Sequence, residues 1–163
     1  MSPTKEELLN ILSTVCDPEI PVLNIVEMGI VRGVEISGMS VRVDITPTYS
    51  GCPAMKVITD DIVSALGAHG FHSVSINTTY SPAWTSDWMN DATKQKLKEY
   101  GIAPPATTSN EVIVLLPARN EIIPCPFCKS NETELRSAFG STACKSYYYC
   151  NSCKQPFEHF KEI

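Results

Sequence analysis

Apolar residues in the N-terminal part of the chain recur with two different periods. Between positions 4 and 15 they follow helical spacing after a threonine and a glutamate that form a capping-box sequence, whereas apolar and polar residues alternate over positions 41–46 as in a half-buried strand. The predicted elements are a helix over 4–15, strands over 30–36 and 39–46, a helix that begins just after Cys52, a strand over 73–77 and a helix over 87–100. This order predicts an α+β domain, a small three-stranded sheet with helices on one face.

The composition changes after position 101. Residues 102–110 are rich in Pro, Ala, Thr and Ser, which bury little apolar surface and are typical of a linker. The short apolar run Val112–Leu116 is expected to dock on one of the modules. The sequence therefore predicts a domain over residues 1–101, a linker and docking segment over 102–120, and a second module over 121–163.

Four cysteines of the second module have the spacing of a metal site. They are Cys125, Cys128, Cys150 and Cys153, in the pattern C-x2-C-x21-C-x2-C. Four thiolates make a closed tetrahedral site without an open position for chemistry, and such a metal can contribute an apparent ~10 to 16 kcal/mol to a small fold. We predict a C-terminal four-cysteine zinc ribbon on a hairpin of residues 135–139 and 145–149. Cys144 in place of Cys150, and iron in place of zinc, are the alternatives.

Charge and motifs exclude several function classes. The formal net charge of −5 disfavours nucleic acid, whose binding needs clustered positive charge. No apolar run has the length of a membrane span, and the first ten positions include Glu6 and Glu7, where a secretory signal needs an apolar stretch, so we expect a cytoplasmic protein. No nucleotide-binding loop and no Ser/His/Asp arrangement is present, and no independent enzymatic activity is expected.

Three cysteines remain outside the four-cysteine pattern. Cys52 lies between a glycine and a proline at a predicted helix start, where the helix dipole stabilises a thiolate as a nucleophile or soft-metal ligand. The alternative is a small buried apolar residue. Cys16 is expected to belong to the core. Asp17 and Glu19, in the loop that follows the first helix, are by themselves typical of turn or cap residues.

Two segments of the first domain resemble a known family. Asp17–Val31 and Thr46–Pro53 resemble the small metal-sulfur cluster assembly domain of iron-sulfur assembly factors. With Tyr100–Pro105 and Phe139–Lys145 added, the whole chain is similar to the D subunits of the phenylacetyl-CoA epoxidase system. The resemblance implies a bacterial cytoplasmic accessory protein of aerobic phenylacetate degradation that works beside a di-iron oxygenase and an iron-sulfur reductase.

The resemblance also implies roles for individual residues. Cys52 corresponds to the functional cysteine of assembly domains and would hold iron or an iron-sulfur cluster transiently, with help from Asp17 and Glu19. One alternative is a structural adaptor of the oxygenase complex, with the region of Trp84 and Trp88 and the four-cysteine ribbon as interfaces. Another is an electron-transfer protein with iron in the four-cysteine site.

Overall fold

The computed structural model describes residues 3–106 and 122–163. It divides the chain into two compact units, Met1–Trp84 and Thr85–Ile163. In the described part of the chain, no helix combines the length and the apolar character that a membrane crossing requires.

The first unit is a three-stranded sheet with two helices. The elements are α1 over Lys5–Leu12, β1 over Val31–Ser37, β2 over Ser40–Ile45, α2 over Ala54–Ala68 and β3 over Ser73–Thr78. Strand β2 lies in the centre, antiparallel to β1 and parallel to β3. Its residues Val41, Val43 and Ile45 are buried, while those between them are more exposed. This one-sided burial confirms the predicted α+β sheet with helices on one face.

Helix α1 ends at Leu12 and not at position 15. The hydroxyls of Ser13 and Thr14 donate to carbonyls of the last helical turn, each at 2.7 Å, and such bonds compete with further helix. Val15 is nevertheless buried, and its carbonyl accepts the amide of Ile25. The predicted apolar face therefore continues into the core beyond the end of the helix.

The second unit contains a four-stranded sheet. The elements are α3 over Asp91–Tyr100, β4 over Ile102–Ala103, β5 over Thr133–Ser137, β6 over Lys145–Cys150 and β7 over Pro156–Phe160. The strand order is β4-β7-β6-β5, so the predicted hairpin forms β5 and β6, and β7 and β4 extend it. The rings of Tyr148 and Phe157, both buried, stack with centroids 5.7 Å apart and form part of the core.

The boundary between the units lies at Trp84 and thus before α3, whereas the sequence analysis places it at position 101. Helix α3 leads directly into β4, which is buried and pairs in parallel with β7, and these contacts join the helix to the second unit. The helix starts at Asp91 rather than at 87, because Ser86–Trp88 forms a 3-10 turn. Positions 107–120 of the predicted linker, with the run Val112–Leu116, lie outside the described residues.

Candidate functional site

The four predicted metal ligands meet at one point of the second unit. The sulfur atoms of Cys125, Cys128, Cys150 and Cys153 all lie within 4.8 Å of one another. The Cys125 and Cys153 sulfurs are 3.7 Å apart, and those of Cys128 and Cys150 are 3.6 Å apart. Sulfurs bound at about 2.3 Å around a tetrahedral zinc ion lie about 3.8 Å from each other. The spacing therefore fits zinc.

Each cysteine pair sits in a turn of the same construction. The amide of Cys125 donates to the carbonyl five residues later at 3.0 Å, and the amide of Cys150 does the same at 2.9 Å. Lys129 and Lys154 reverse the chain in the left-handed region, with φ of 65° and 62°. The two turns therefore present their sulfurs to a common point, although 21 residues separate the pairs along the chain.

The electrostatics of the four thiols call for a cation. A hydrogen bond from the Ser130 backbone is the main cause that lowers the pKa of Cys128 to about 7, whereas burial raises the pKa of Cys153 to about 12. The protein alone thus favours the thiolate at Cys128 and disfavours it at Cys153, and a divalent metal would stabilise the thiolate at both positions. Cys144 lies outside the group, which excludes the register-shifted ligand set.

Cys52 lies in the turn that precedes α2. Its side chain is half-buried, its amide donates to the Tyr49 carbonyl at 3.3 Å, and its carbonyl accepts the Met55 amide at 3.2 Å. Pro53 occupies the N-cap position and provides no side-chain cap, and the first turn of the helix has no acidic residue. The start of α2 therefore keeps its partial positive charge for a ligand or for the thiolate itself.

The two acidic residues of the first loop have different environments. Asp17 is 8% exposed, and its Oδ1 accepts the amides of Glu19 at 2.7 Å and of Ile20 at 3.0 Å. This carboxylate therefore fixes the turn, as sequence reasoning allows for an aspartate before a proline. Glu19 is exposed.

The structure overturns the expectation for Cys16 and decides the position of Trp84, which the sequence left open. Cys16 is exposed, because the extended segment that bridges to Asn24 turns its neighbours on either side inward. Trp84 is buried, and its indole Nε1 donates to the Met28 carbonyl at 2.9 Å. It therefore belongs to the core of the first unit and presents no interface, while Trp88 is partly exposed.

The loops that carry Asp17 and Cys52 lie at the same end of the sheet. Three backbone hydrogen bonds join their segments: Thr46 to Ile30 at 2.9 Å, Ile30 to Ile25 at 3.0 Å, and Ile25 to Val15 at 3.0 Å. Within residues 3–106 and 122–163, however, the four ribbon cysteines are the one group of three or more Cys, His, Asp or Glu side chains close enough to hold a metal. The two loops thus lie at the same end of the sheet, but Cys52, Asp17 and Glu19 do not form a ready metal site.

Two different protein families match the two parts of the chain. The family described as "Iron-sulfur cluster assembly protein" matches residues 5–80, and the "PaaD zinc beta ribbon domain" matches residues 110–161. A solved structure from Bacillus anthracis, titled as a domain of unknown function DUF59, is similar with a TM-score of 0.54 and 26% identity. The match covers 57% of this chain and 90% of that chain.

Two curated relatives extend the comparison. A Porphyromonas gingivalis protein named Fe-S protein maturation auxiliary factor is 34% identical over 90 residues, which are 54% of this chain and 85% of that protein. An Escherichia coli (strain K12) protein named as the D subunit of 1,2-phenylacetyl-CoA epoxidase is 45% identical over 161 residues, 99% of this chain and 94% of that protein. The chain, a zinc ribbon preceded by an assembly-type α+β unit, therefore belongs to the family of phenylacetyl-CoA epoxidase D subunits.

Proposed function

We propose that this chain is an accessory protein that matures the phenylacetyl-CoA ring-epoxidising di-iron oxygenase by assisting the assembly of an iron or iron-sulfur centre. The observation that carries the proposal is the half-buried thiol of Cys52 at the uncapped start of α2. It lies within residues 5–80, which match the family of iron-sulfur cluster assembly proteins. A thiolate at a helix N-terminus is a soft ligand suited to iron.

The iron or cluster is cargo in this proposal, and the zinc is structural. Cys52 provides the thiolate, and Glu19, which is exposed, provides a carboxylate from the neighbouring loop. Asp17 uses Oδ1 to fix the turn, which leaves Oδ2 for the cargo. The four ribbon thiolates enclose their metal and offer no open position. The partners are the other components of the epoxidase system, the di-iron oxygenase and the iron-sulfur reductase.

Anaerobic reconstitution tests the role of Cys52. Wild type, Cys52→Ser and Cys16→Ser are purified, supplied with ferrous iron and sulfide, desalted and analysed for iron, zinc and visible absorption. Cys16→Ser is the matched control, because Cys16 is an exposed thiol of the same unit that lies away from a helix start. We expect iron to remain in wild type and Cys16→Ser and to be lost from Cys52→Ser, with unchanged zinc in all three.

The same variants are then co-expressed with the oxygenase, whose iron occupancy and epoxidation are measured. Cys52→Ser should lower the iron content of the oxygenase, and Glu19→Gln should weaken iron retention without a loss of folded protein. Full iron occupancy of the oxygenase with Cys52→Ser would rule the proposal out.

A second candidate function is that of a structural adaptor of the oxygenase complex. Two aromatic side chains of the second unit are exposed, Phe127 at 54% and Tyr100 at 51%. The Phe127 ring lies against Gly101, the residue that follows Tyr100, and an added Cβ there would be 3.0 Å from the ring. Exposed aromatic residues of this size are typical of protein interfaces.

Co-elution separates the two candidates. An adaptor should elute with the oxygenase in a fixed ratio, and Phe127→Ser should abolish this complex while the zinc content stays unchanged. Transient or absent co-elution, together with iron loss in Cys52→Ser, favours the assembly role.

A further inference from the structure

The loop over residues 138–144 has no part in the proposed function. It joins β5 to β6, and Glu158 of β7 closes it by accepting the amide of Ser141 at 2.5 Å. Gly140 permits this closure, because an added Cβ would lie 2.5 Å from the same carboxylate oxygen. The loop is thereby held in one conformation, with Cys144 near its end.

Cys144 lies next to a buried ammonium group. Lys161 is 3% exposed, its Nζ donates to the Ala143 carbonyl at 2.9 Å, and its amide donates to the Cys144 carbonyl at 3.0 Å. Its Nζ also lies 4.3 Å from the centre of the Phe139 ring. Burial lowers the pKa of Lys161, and the attraction of the Cys144 charge opposes this effect.

No carboxylate pairs with Lys161 among the described residues. The carboxylates of this part of the chain have other partners, Glu158 with Lys145 at 2.9 Å and Glu162 with His159 at 3.4 Å. A buried ammonium without a counter-ion is costly. The thiolate of Cys144 is the group that can neutralise it, and the Thr142 hydroxyl, 3.0 Å from the Cys144 sulfur, can donate to that thiolate.

We propose that Cys144 is a second reactive thiolate, and that it accepts one sulfane sulfur atom from a small hydropersulfide donor. The thiolate attacks the terminal sulfur of the donor, so that a new S–S bond forms as the S–S bond of the donor breaks. With the hydrogen disulfide anion as donor, the products are the Cys144 persulfide anion and hydrosulfide. Atoms and charge balance, and no external oxidant or reductant is needed.

The negative charge of the persulfide product favours a hydropersulfide donor over other thiol reagents. A persulfide is a stronger acid than its thiol and stays anionic, so Lys161 keeps its counter-ion. Alkylation, or oxidation to a sulfenic acid, gives a neutral product that would leave the buried ammonium unpaired. The exposure of Cys144, 9%, admits only small donors. This inference does not depend on the iron-binding role of Cys52.

Residue-resolved mass spectrometry tests the inference. The zinc-loaded full chain is incubated anaerobically with disodium disulfide, and the addition of one sulfur atom is followed with time at Cys144 and at Cys16. Cys16 is exposed and serves as an internal reference in each sample. We expect an initial rate at Cys144 about tenfold above that at Cys16, because the neighbouring ammonium favours the thiolate.

Variants show whether Lys161 is responsible. Lys161→Met should reduce the rate at Cys144 about tenfold, while Lys161→Arg keeps the charge and most of the rate. Lys96→Met, at an exposed lysine of α3, is the matched control and should change nothing. Zinc per chain reports whether each variant is folded.

Two results would overturn the inference: equal rates at Cys144 and Cys16 in the wild type, or an unchanged Cys144 rate in folded Lys161→Met. If Lys161→Met loses zinc, the inference is tested on the wild type alone, by measuring the rate of sulfur addition as a function of pH. The Cys144 rate should fall less than the Cys16 rate between about pH 8 and pH 6, since the neighbouring ammonium favours the thiolate. Parallel profiles would contradict the ion pair.

Discussion

The two units of this chain use cysteine in opposite ways. In the first unit the apolar core is large, with Leu12, Ile62 and Leu66 fully buried, and Cys52 lies half-buried at its edge. In the second unit four cysteines converge, and Cys125 and Cys150 are themselves fully buried. A unit that is stable through apolar burial can keep a thiol available for cargo, whereas a small unit that needs a metal encloses its thiolates.

The largest expected effect is the loss of the metal. Removal of zinc by a chelator, or Cys150→Ser, should abolish hydrogen-exchange protection of β5, β6 and β7, because structural zinc contributes an apparent ~10 to 16 kcal/mol. Protection of β1, β2 and β3 should persist, since the described residues of the first unit form no group of metal ligands. Cys16→Ser, at an exposed thiol of the first unit, is the control and should retain zinc and protection. Equal loss of protection in both units would contradict the claim that only the second unit depends on the metal.

A core cavity in the first unit should have the next largest effect. Ile62 is fully buried in α2, and Ile62→Ala should lower the free energy of unfolding of that unit by about 2 to 5 kcal/mol. Denaturant unfolding measures this change, and elemental analysis should find the zinc content unaltered. Val63→Ala, at an exposed position of the same helix, should cost much less.

Removal of the Asp17 side chain should have a smaller effect on stability. Asp17→Ala loses two hydrogen bonds to backbone amides and should lower the free energy of unfolding by about 1 to 2 kcal/mol. Glu19→Ala should change it by no more than about 0.5 kcal/mol, because this residue is exposed. Thermal unfolding of both variants makes the comparison, and equal losses would contradict a structural role for Asp17.

The smallest expected effect is a pH dependence of the second unit. Burial acts to raise the pKa of Glu158, but hydrogen bonds from Ser141 and the Lys145 ammonium outweigh it and lower the pKa below 4.5. A carboxyl whose pKa is lowered by folding adds stability above its unfolded pKa, and this stability is lost as the pH falls through the folded pKa. Glu158→Gln should therefore show a shallower loss of stability below about pH 4.5.

Wild type and Glu158→Gln are compared at equal zinc content, because acid also protonates the ligand thiolates. Identical slopes would show that Glu158 adds no pH-dependent stability.

Local sequence patterns predicted most helices and strands, because these elements depend on residues that are close together in the sequence. The three strands of the first unit and the starts of α1 and α2 follow from periodicity and end signals, and the metal ligands follow from their spacing. The extension of the ribbon by β4 was not predictable, because Ile102 and Ala103 pair with β7 across a long stretch of chain. The 3-10 turn before α3 likewise lies inside a segment whose composition resembles a continuous helix.

The sequence by itself determined the α+β order, the four-cysteine metal site and the position of Cys52 before a helix, since each depends on neighbours a few residues away. Only the tertiary structure decided that Cys16 is exposed, that Trp84 is buried and that Cys144 lies beside Lys161. These properties depend on which distant segment covers a side chain. Tertiary packing therefore fixes the burial of a charge or a thiol, and the local periodicity of apolar residues does not predict it.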